Sequence, residues 1–298
     1  MPRYAFTVHY IGKGYAGSQI QFDKNGLEIA EPTIQGELEK ALSTLINCKW
    51  CEAGVGLRER DAQGGTLRDR RCDRSGSEGS GLIFDLTGGD THKKRQIKTV
   101  FSGRTDRGVN SKGQVVHFDA DKIIVASKFV YSLNEILPDD ISVCDFREVE
   151  NGFHAQKSAK RRIYEYEFIN RRCKDAFDGD LMRVKYPISI ERMQKSLDYL
   201  MGEHDFSSFK SSGTLNPSKI CFIYLAEIFK KDDDRVVVRL EGNRFLYNMV
   251  RSIVGTLLEI EGHNLSSEHM KNVLEAKDRR KAGQTVSPYG LTLMKVIY

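Results

Sequence analysis

The 298-residue chain has no apolar run approaching the 18 or more residues of a membrane span, and a helical membrane protein is not expected. Its first ten residues, Met-Pro-Arg-Tyr-Ala-Phe-Thr-Val-His-Tyr, hold no apolar stretch after the first positive charge and alternate as a strand does. A secretory signal is therefore not expected, and the expected compartment is the cytoplasm. Six cysteines (Cys48, Cys51, Cys72, Cys144, Cys173, Cys221) are too scattered for a disulfide scaffold. Cys48 and Cys51 form one CxxC, but a closed zinc site needs four ligands, and Cys72 in a Gly/Arg-rich run adds little. The seven histidines show no paired ligand spacing, and GxxxxGK[ST], HExxH and GxSxG are all missing. Nucleotide hydrolysis, zinc proteolysis and serine hydrolase chemistry thus lack their usual support. The expectation is a reaction that uses neither metal nor cofactor.

What is present is a globular composition of one large or two modest domains, with 40% apolar residues and 46 Lys plus Arg against 41 Asp plus Glu. The net charge of +5 is mild. Its basic clusters, Lys93–Arg95, Lys157–Arg162, Arg171–Arg172 and Arg279–Lys281, read either as solvated turns or, taken together, as a phosphate-binding surface. Residues 54–95 differ from the rest: they hold 9 of the 26 glycines, and Leu82-Ile83-Phe84 is their one apolar run. Such a segment buries too little apolar surface to offset its ordering entropy. It reads as an insertion spanning about 51–95, with one short strand near 82–86.

Strands and helices alternate around it. Strands are expected over 3–10, 97–102, 114–119 and 141–149. A helix capped by Thr33 presents Ile34, Leu38, Leu42, Leu45 and Ile46, and a second over 127–137 stops at Pro138. Further on, residues 162–169 alternate as a strand and 190–201 form a helix with Met193, Leu197, Leu200 and Met201 inward. Residues 219–230 and 235–241 make a hairpin turning at Asp232-Asp233-Asp234, a triplet read as turn chemistry rather than a metal site. An apolar helix over 244–261, a helix from Ser266 to about Lys277 and a strand over 291–298 close the chain. The expected class is α+β: two similar halves, 1–150 and 151–298, each a mainly antiparallel sheet with helices on one face, flanking a central catalytic cleft.

Three residues stand out. Asp106 lies in Ser102-Gly103-Arg104-Thr105-Asp106-Arg107-Gly108, a polar loop between apolar strands. Flanking guanidinium groups would keep its carboxylate ionised, as a nucleophile or general base requires. The same residues also suit a plain turn, with Asp106 capping backbone N–H groups and Gly108 supplying a positive φ. Tyr164, on a strand after Arg161-Arg162, offers a ring for a base to stack on and a hydroxyl for proton transfer, with arginines to hold phosphates; equally, it fits any half-buried strand. Arg251 shares a stripe with Arg244, Asn248, Ser252, Gly255 and Glu259. That stripe is either an ordinary polar helix face or a cleft wall where Arg251 pairs with a carboxylate.

The chain resembles the tRNA pseudouridine synthase A family. The resemblance rests on Gly103–Val109 followed by Gly113-Gln114-Val115-Val116-His117-Phe118, on Phe153-His154-Ala155 leading to Arg162–Tyr166, on Asp205–Phe209, on Gly242–Gly255, and on Gly290-Leu291 with Val296 and Tyr298. It covers nearly everything outside about 51–95. It implies isomerisation of uridine to pseudouridine in tRNA, at positions 38, 39 and 40 of the anticodon stem-loop, by a cofactor-free homodimer. Asp106 matches the aspartate that attacks the target nucleotide, Tyr164 the tyrosine that stacks on the base and takes the C5 proton, and Arg251 the partner of the aspartate. Arg104 matches the arginine that helps displace the base; with it, Arg162, Arg244 and Leu291 are the substrate-binding candidates. The family's usual residues give way at Ile11, Ser18, Asn110 and Cys221, which bears on RNA affinity and site choice. A competing class is a tRNA-binding protein of the same fold with altered or lost catalysis; the intact Arg104, Asp106, Tyr164 and Arg251 weigh against it.

Overall fold

The computed structural model describes residues 1–22, 26, 27, 29–47, 96–121, 123–211 and 218–298. The CxxC pair, Cys72, the insertion and the strand expected near 82–86 lie outside the described residues.

Alternation over Arg3–Tyr10 makes β1, whose Tyr4, Phe6, Val8 and Tyr10 are buried. Helix α1, Ile34–Ile46, starts as expected: the Thr33 hydroxyl accepts from the Gly36 N–H at 3.1 Å, and Ile34, Leu38, Leu42 and Ile46 turn inward. The same helix holds the entry to the loop that carries Asp106. Its buried Glu39 accepts from the N–H and hydroxyl of Thr99 at 2.8 and 2.9 Å, fixing the start of β2, Thr99–Phe101. Strand β3, Asn110–Asp119, begins four residues earlier than its apolar stretch predicts. Helix α2, Ala126–Ile136, and β4, Ile141–Val149, then pack with α1, β1 and β3 around one apolar cluster that includes Phe118, Phe129 and Leu133.

The later elements are β5 (Arg161–Asn170), β6 (Arg183–Val184), α3 (Ile190–Asp198), β7 (Gly202–Asp205), β8 (Ile220–Lys230), β9 (Arg235–Gly242), α4 (Met249–Gly262), α5 (Glu268–Ala276) and β10 (Leu291–Ile297). A second cluster joins Tyr164, Tyr166 and Phe168 of β5 to Met193 and Leu197 of α3 and to Ile253 and Leu257 of α4. Fully burying each large apolar side chain contributes about 1.5–3 kcal/mol, so these clusters hold the helices on the sheet.

All strands among the described residues belong to one mixed sheet in the order β4-β1-β3-β10-β5-β9-β8-β7, with β2 beside β3 and β6 beside β5. Most pairs are antiparallel; β3 with β10 and β5 with β6 are parallel. The fold class is therefore α+β, as expected. The last strand of the chain, β10, inserts between β3 and β5, with Leu293 level with Ser111 on one side and Tyr164 on the other. This sets the Asp106 loop, which leads into β3, and the Tyr164 strand on either side of β10 in one sheet.

Several elements differ from expectation. The helix predicted over 244–261 begins at Met249, because Asn243 stays tied to the sheet edge: its N–H donates to the Phe222 carbonyl at 3.0 Å and its side-chain oxygen accepts from the Phe222 N–H at 2.9 Å. Arg244 is thus not on the helix. The helix predicted over 190–201 stops at Asp198; Gly202 adopts φ +91 and opens β7, leaving Met201 exposed rather than inward. The Asp232 side chain accepts from the N–H groups of Asp234 and Arg235, which is the turn chemistry expected of that triplet. Gly12, Gly14 and Gly17 follow β1 with GxGxxG spacing. However, β1 pairs only antiparallel, and among the described residues just a three-residue 3-10 turn, Gly12–Gly14, precedes the α-helix that begins at Ile34, so the βαβ setting of a dinucleotide-binding loop is missing. No helix among the described residues is long and apolar enough to cross a membrane.

Candidate active site

Residues 102–109 connect β2 to β3 and are gripped at both ends. The Ser102 N–H donates to the Val115 carbonyl at 2.8 Å, and the fully buried Gln114 donates to the Gly103 carbonyl at 2.8 Å while accepting from the Ser102 hydroxyl. Midway, Ser18 brackets Thr105: it donates its N–H to the Thr105 carbonyl at 3.0 Å, and its hydroxyl accepts from the Thr105 N–H at 2.8 Å. The Tyr10 hydroxyl meets the Thr105 hydroxyl at 2.7 Å, and burial pushes this phenol up to about 12. The loop closes with the Val109 N–H on the Asp106 carbonyl at 3.1 Å and with Gly108 at φ +78. A Cβ at Gly108 would come within 2.9 Å of Pro288 and Tyr289, so this turn needs glycine twice over.

Half of the plain-turn reading therefore holds, in Gly108. The other half does not: it is the Asp106 backbone, not its side chain, that makes the turn. Among the described residues none donates a hydrogen bond to the half-buried Asp106 carboxylate. Nor do its sequence neighbours hold it. Arg104 is exposed and donates to Gln19, while Arg107 pairs with Glu31. Burial raises Asp106 above the ordinary carboxylate value, and the cation that pulls it back down is Arg251, distant in sequence. The expectation of flanking guanidinium groups is corrected accordingly, because both neighbouring arginines turn outward to their own partners.

Arg251 lies in the first turn of α4. Its Nε donates to the Val286 carbonyl at 2.8 Å and its Nη1 to the Asn248 side-chain oxygen at 2.7 Å. The rest of the stripe it heads is not a solvated face. Ser252 and Thr256 are fully buried, and Gly255 abuts the backbone of Gln284. Tyr164 is 8% exposed and meets Phe245 edge-on, with ring centroids 5.1 Å apart. Burial drives its hydroxyl well above the ordinary phenol value; Tyr10 and Asp106 push the same way and Arg162 opposes them. Asp106, Arg251 and Tyr164 thus form one electrostatic neighbourhood.

The remaining candidates sit around it. Arg162 serves as a strut: it donates to the carbonyls of Ser102 at 3.0 Å, Asn243 at 2.8 Å and Gln156 at 3.2 Å, tying the Asp106 loop to the approach to α4. Arg244 donates to the Ser218 carbonyl at 3.1 Å. Leu291 is buried in β10 opposite Tyr166. Among the unusual positions, Asn110 accepts from the Gly12 N–H at 2.9 Å and donates to the Tyr289 carbonyl at 3.0 Å, while Cys221 is buried opposite His204 with its thiol pushed up to about 11. Ile11 is 60% exposed. A groove of about 450 Å³ near β7, lined by residues including Tyr199, His204 and Lys277, touches none of these groups. Sequence reasoning gave no holding role to Gln114, Ser18 and Tyr10, which grip the Asp106 loop, or to Asn248, which holds Arg251; a buried or half-buried polar residue gives no such signal in alternation alone.

A carboxylate left open on a clamped loop, a guanidinium whose charge acts on it and a buried aromatic ring are the kind of arrangement that suits nucleophilic or general-base chemistry on a substrate. Residues 197–298 match the family model described as tRNA pseudouridine synthase. A tRNA pseudouridine synthase A of Anoxybacillus flavithermus is 34% identical over 298 residues, spanning 100% of this chain and 99% of its own. One of Listeria monocytogenes serotype 4a is 32% identical over 300 residues, spanning 100% of both. Another, of Thermoanaerobacter sp. strain X514, is 42% identical over 208 residues, 68% of this chain and 83% of its own. The chain belongs to the tRNA pseudouridine synthase A family.

Proposed function

We propose that this protein isomerises uridine to pseudouridine in tRNA, at positions 38, 39 and 40 of the anticodon stem-loop, acting as a homodimer in the cytoplasm. The observation that carries the chemistry is Asp106, a half-buried carboxylate with no hydrogen-bond donor among the described residues and with Arg251 as its cation. We read 1–150 and 151–298 as the two halves beside a central cleft in which an extruded uridine reaches this carboxylate. Asp106 attacks the target nucleotide, the bond from C1′ to N1 breaks, the base turns, a bond from C1′ to C5 forms, and the bond to Asp106 breaks so that its carboxylate is regenerated. The proton leaving C5 is balanced by one gained at N1, so no redox partner is required.

Arg251 favours the ionised Asp106 that attack requires. Tyr164 stacks on the base, and its raised phenol value makes it a neutral wall in the free enzyme rather than a ready base. Arg104, exposed on the loop and held by one neutral partner, is placed to displace the target base. Arg162 and Leu291 act from behind, shaping the loop and the sheet, whereas we read the Arg244 guanidinium as a contact to the RNA.

Purified protein incubated with an unmodified tRNA transcript is expected to create pseudouridine at these positions, mapped by carbodiimide-based primer extension. Asp106→Ala is expected to lower the rate by at least about 10⁴-fold, as losing a nucleophile does, with tRNA binding retained. Turnover by that variant would remove Asp106 from its role, and tRNA binding without turnover by the wild type would favour a non-catalytic tRNA-binding protein.

A further inference from the structure

The guanidinium of Arg251, whose charge favours the ionised form of Asp106, is held in place by its neighbours, and the group holding it on the α4 side is a residue with an uncommon backbone. Asn248 caps the start of α4 with φ 60 and ψ 9, the left-handed region that few side chains other than Asn and Asp enter readily. From there its side-chain oxygen accepts from Arg251 Nη1 at 2.7 Å and its side-chain nitrogen donates to the Ser211 hydroxyl at 3.1 Å. The Ser211 N–H in turn donates to the Tyr247 carbonyl at 3.1 Å, so the anchor of Asn248 is itself anchored. With Val286 taking Nε, the guanidinium is gripped at two of its three nitrogens. The remaining Nη2 has no hydrogen-bond partner among the described residues, and Asp106 is the carboxylate whose charge acts on this guanidinium.

A helix N-terminus usually spends its capping side chain on its own N–H groups. Asn248 makes no such bond: its side chain is committed to Arg251 and Ser211 instead. We propose that Asn248 is a positioning residue of the isomerisation, fixing the Arg251 guanidinium toward Asp106 so that the carboxylate is ionised and ready to attack. This rests on the function proposed above. The charged and titratable groups facing this pair are Tyr164 on the Asp106 side and Tyr166 and Tyr247 on the Arg251 side.

Two variants separate geometry from folding. Asn248→Gly keeps access to the left-handed backbone and removes the side-chain oxygen. Asn248→Asp keeps both the backbone and an acceptor, but its charge neutralises Arg251. In single-turnover and steady-state assays on a tRNA transcript, Asn248→Gly is expected to lower kcat by about 10–100-fold, the usual cost of losing an orienting partner, with KM changed by less than about threefold. In both variants the acid limb of the pH profile is expected to move to higher pH, since Asp106 loses part of the pull that favours its ionised form. A purely structural cap would lower melting temperature or raise KM and leave the acid limb in place. An unmoved acid limb in both variants, or wild-type kcat in Asn248→Gly, overturns the proposal. If Asn248→Gly does not fold, the acid limb of Asn248→Asp decides alone. Absence of turnover in the wild-type protein would instead refute the proposed function.

Discussion

Asp106 carries a charge that its surroundings solvate poorly. Its burial raises the carboxyl above the ordinary value despite Arg251, which means that ionising it is harder in the folded chain than in the unfolded one. The sign follows: this group contributes no penalty below the ordinary carboxylate range, where it is protonated in both states. Its penalty grows as pH rises through that range and is complete above the folded-state value. Asp106→Asn removes the charge and keeps the shape. That variant is expected to melt at a higher temperature than wild type at pH 7, with the gap closing toward pH 4, while losing activity. Paired melting curves across this range check it, and a less stable variant at pH 7 would show that Asp106 has stabilising contacts in the fold. A site residue that costs stability is common where chemistry needs a reactive group.

Helix α4 carries Arg251 only as accurately as it packs on the segment 283–286, and two glycines let the backbones touch. A Cβ at Gly255 would sit 1.7 Å from the Gln284 carbonyl oxygen. The Gly283 N–H also reaches the Thr256 hydroxyl at 3.0 Å, and Val286 follows directly to hold Arg251. Gly255→Ala is therefore expected to push the segment away, costing about 1–3 kcal/mol as overpacking does, and to lower kcat because the Val286 carbonyl moves with it. Chemical denaturation and initial rates check both, and wild-type values would mean that the contact yields freely. At this scale the sequence was legible where local chemistry decides: Thr33 before a four-residue apolar spacing gave α1, and Asp232 gave the hairpin turn. It misled where tertiary contacts decide. Asn243 stays bound to Phe222 and Asn248 turns left-handed, so the apolar periodicity from 244 overran the true start of α4 by five residues. Strand β7, Gly-Glu-His-Asp, has no apolar alternation and forms because β8 offers an edge. For the site, the loop bearing Asp106 was legible from its setting between strands. The cation that acts on it was legible only as one of two readings of the Arg251 stripe and through the family resemblance; spacing alone pointed to Arg104 and Arg107, which stand nearer in sequence, whereas Arg251 arrives through the fold.

The net charge of +5 on the whole chain is too small to bind tRNA by bulk attraction, so where the cations lie matters more than how many there are. Residues 54–95 supply nine of the Lys and Arg against seven Asp and Glu, and removing them leaves +3. The described chain on either side of the insertion returns to the same place: the Ile97 N–H donates to the Ser43 hydroxyl at 3.1 Å, and the Asn47 N–H donates to the Ser43 carbonyl at 3.1 Å. Both flanks are therefore fastened to the end of α1 independently of what joins them. Deleting 54–95 leaves residues 48–53 as the connection between Asn47 and Gln96. On the loop-closure relation, a connection shortened eightfold costs about 2 kcal/mol less to close, at roughly 0.6 kcal/mol per halving. The shortened protein is thus expected to be at least as stable as the full chain. With Glu39, Gln114 and Arg162 still holding the Asp106 loop, its kcat on a tRNA transcript is expected to stay within about threefold, well under the tenfold that 1.4 kcal/mol of barrier represents. Melting temperature, kcat and the salt dependence of tRNA binding should be measured together on the deletion and the full chain. Unchanged melting with a large fall in turnover and a shallower salt slope would place the insertion against the RNA. Lost stability would instead mean that its contacts with the core outweigh the entropy of closing it.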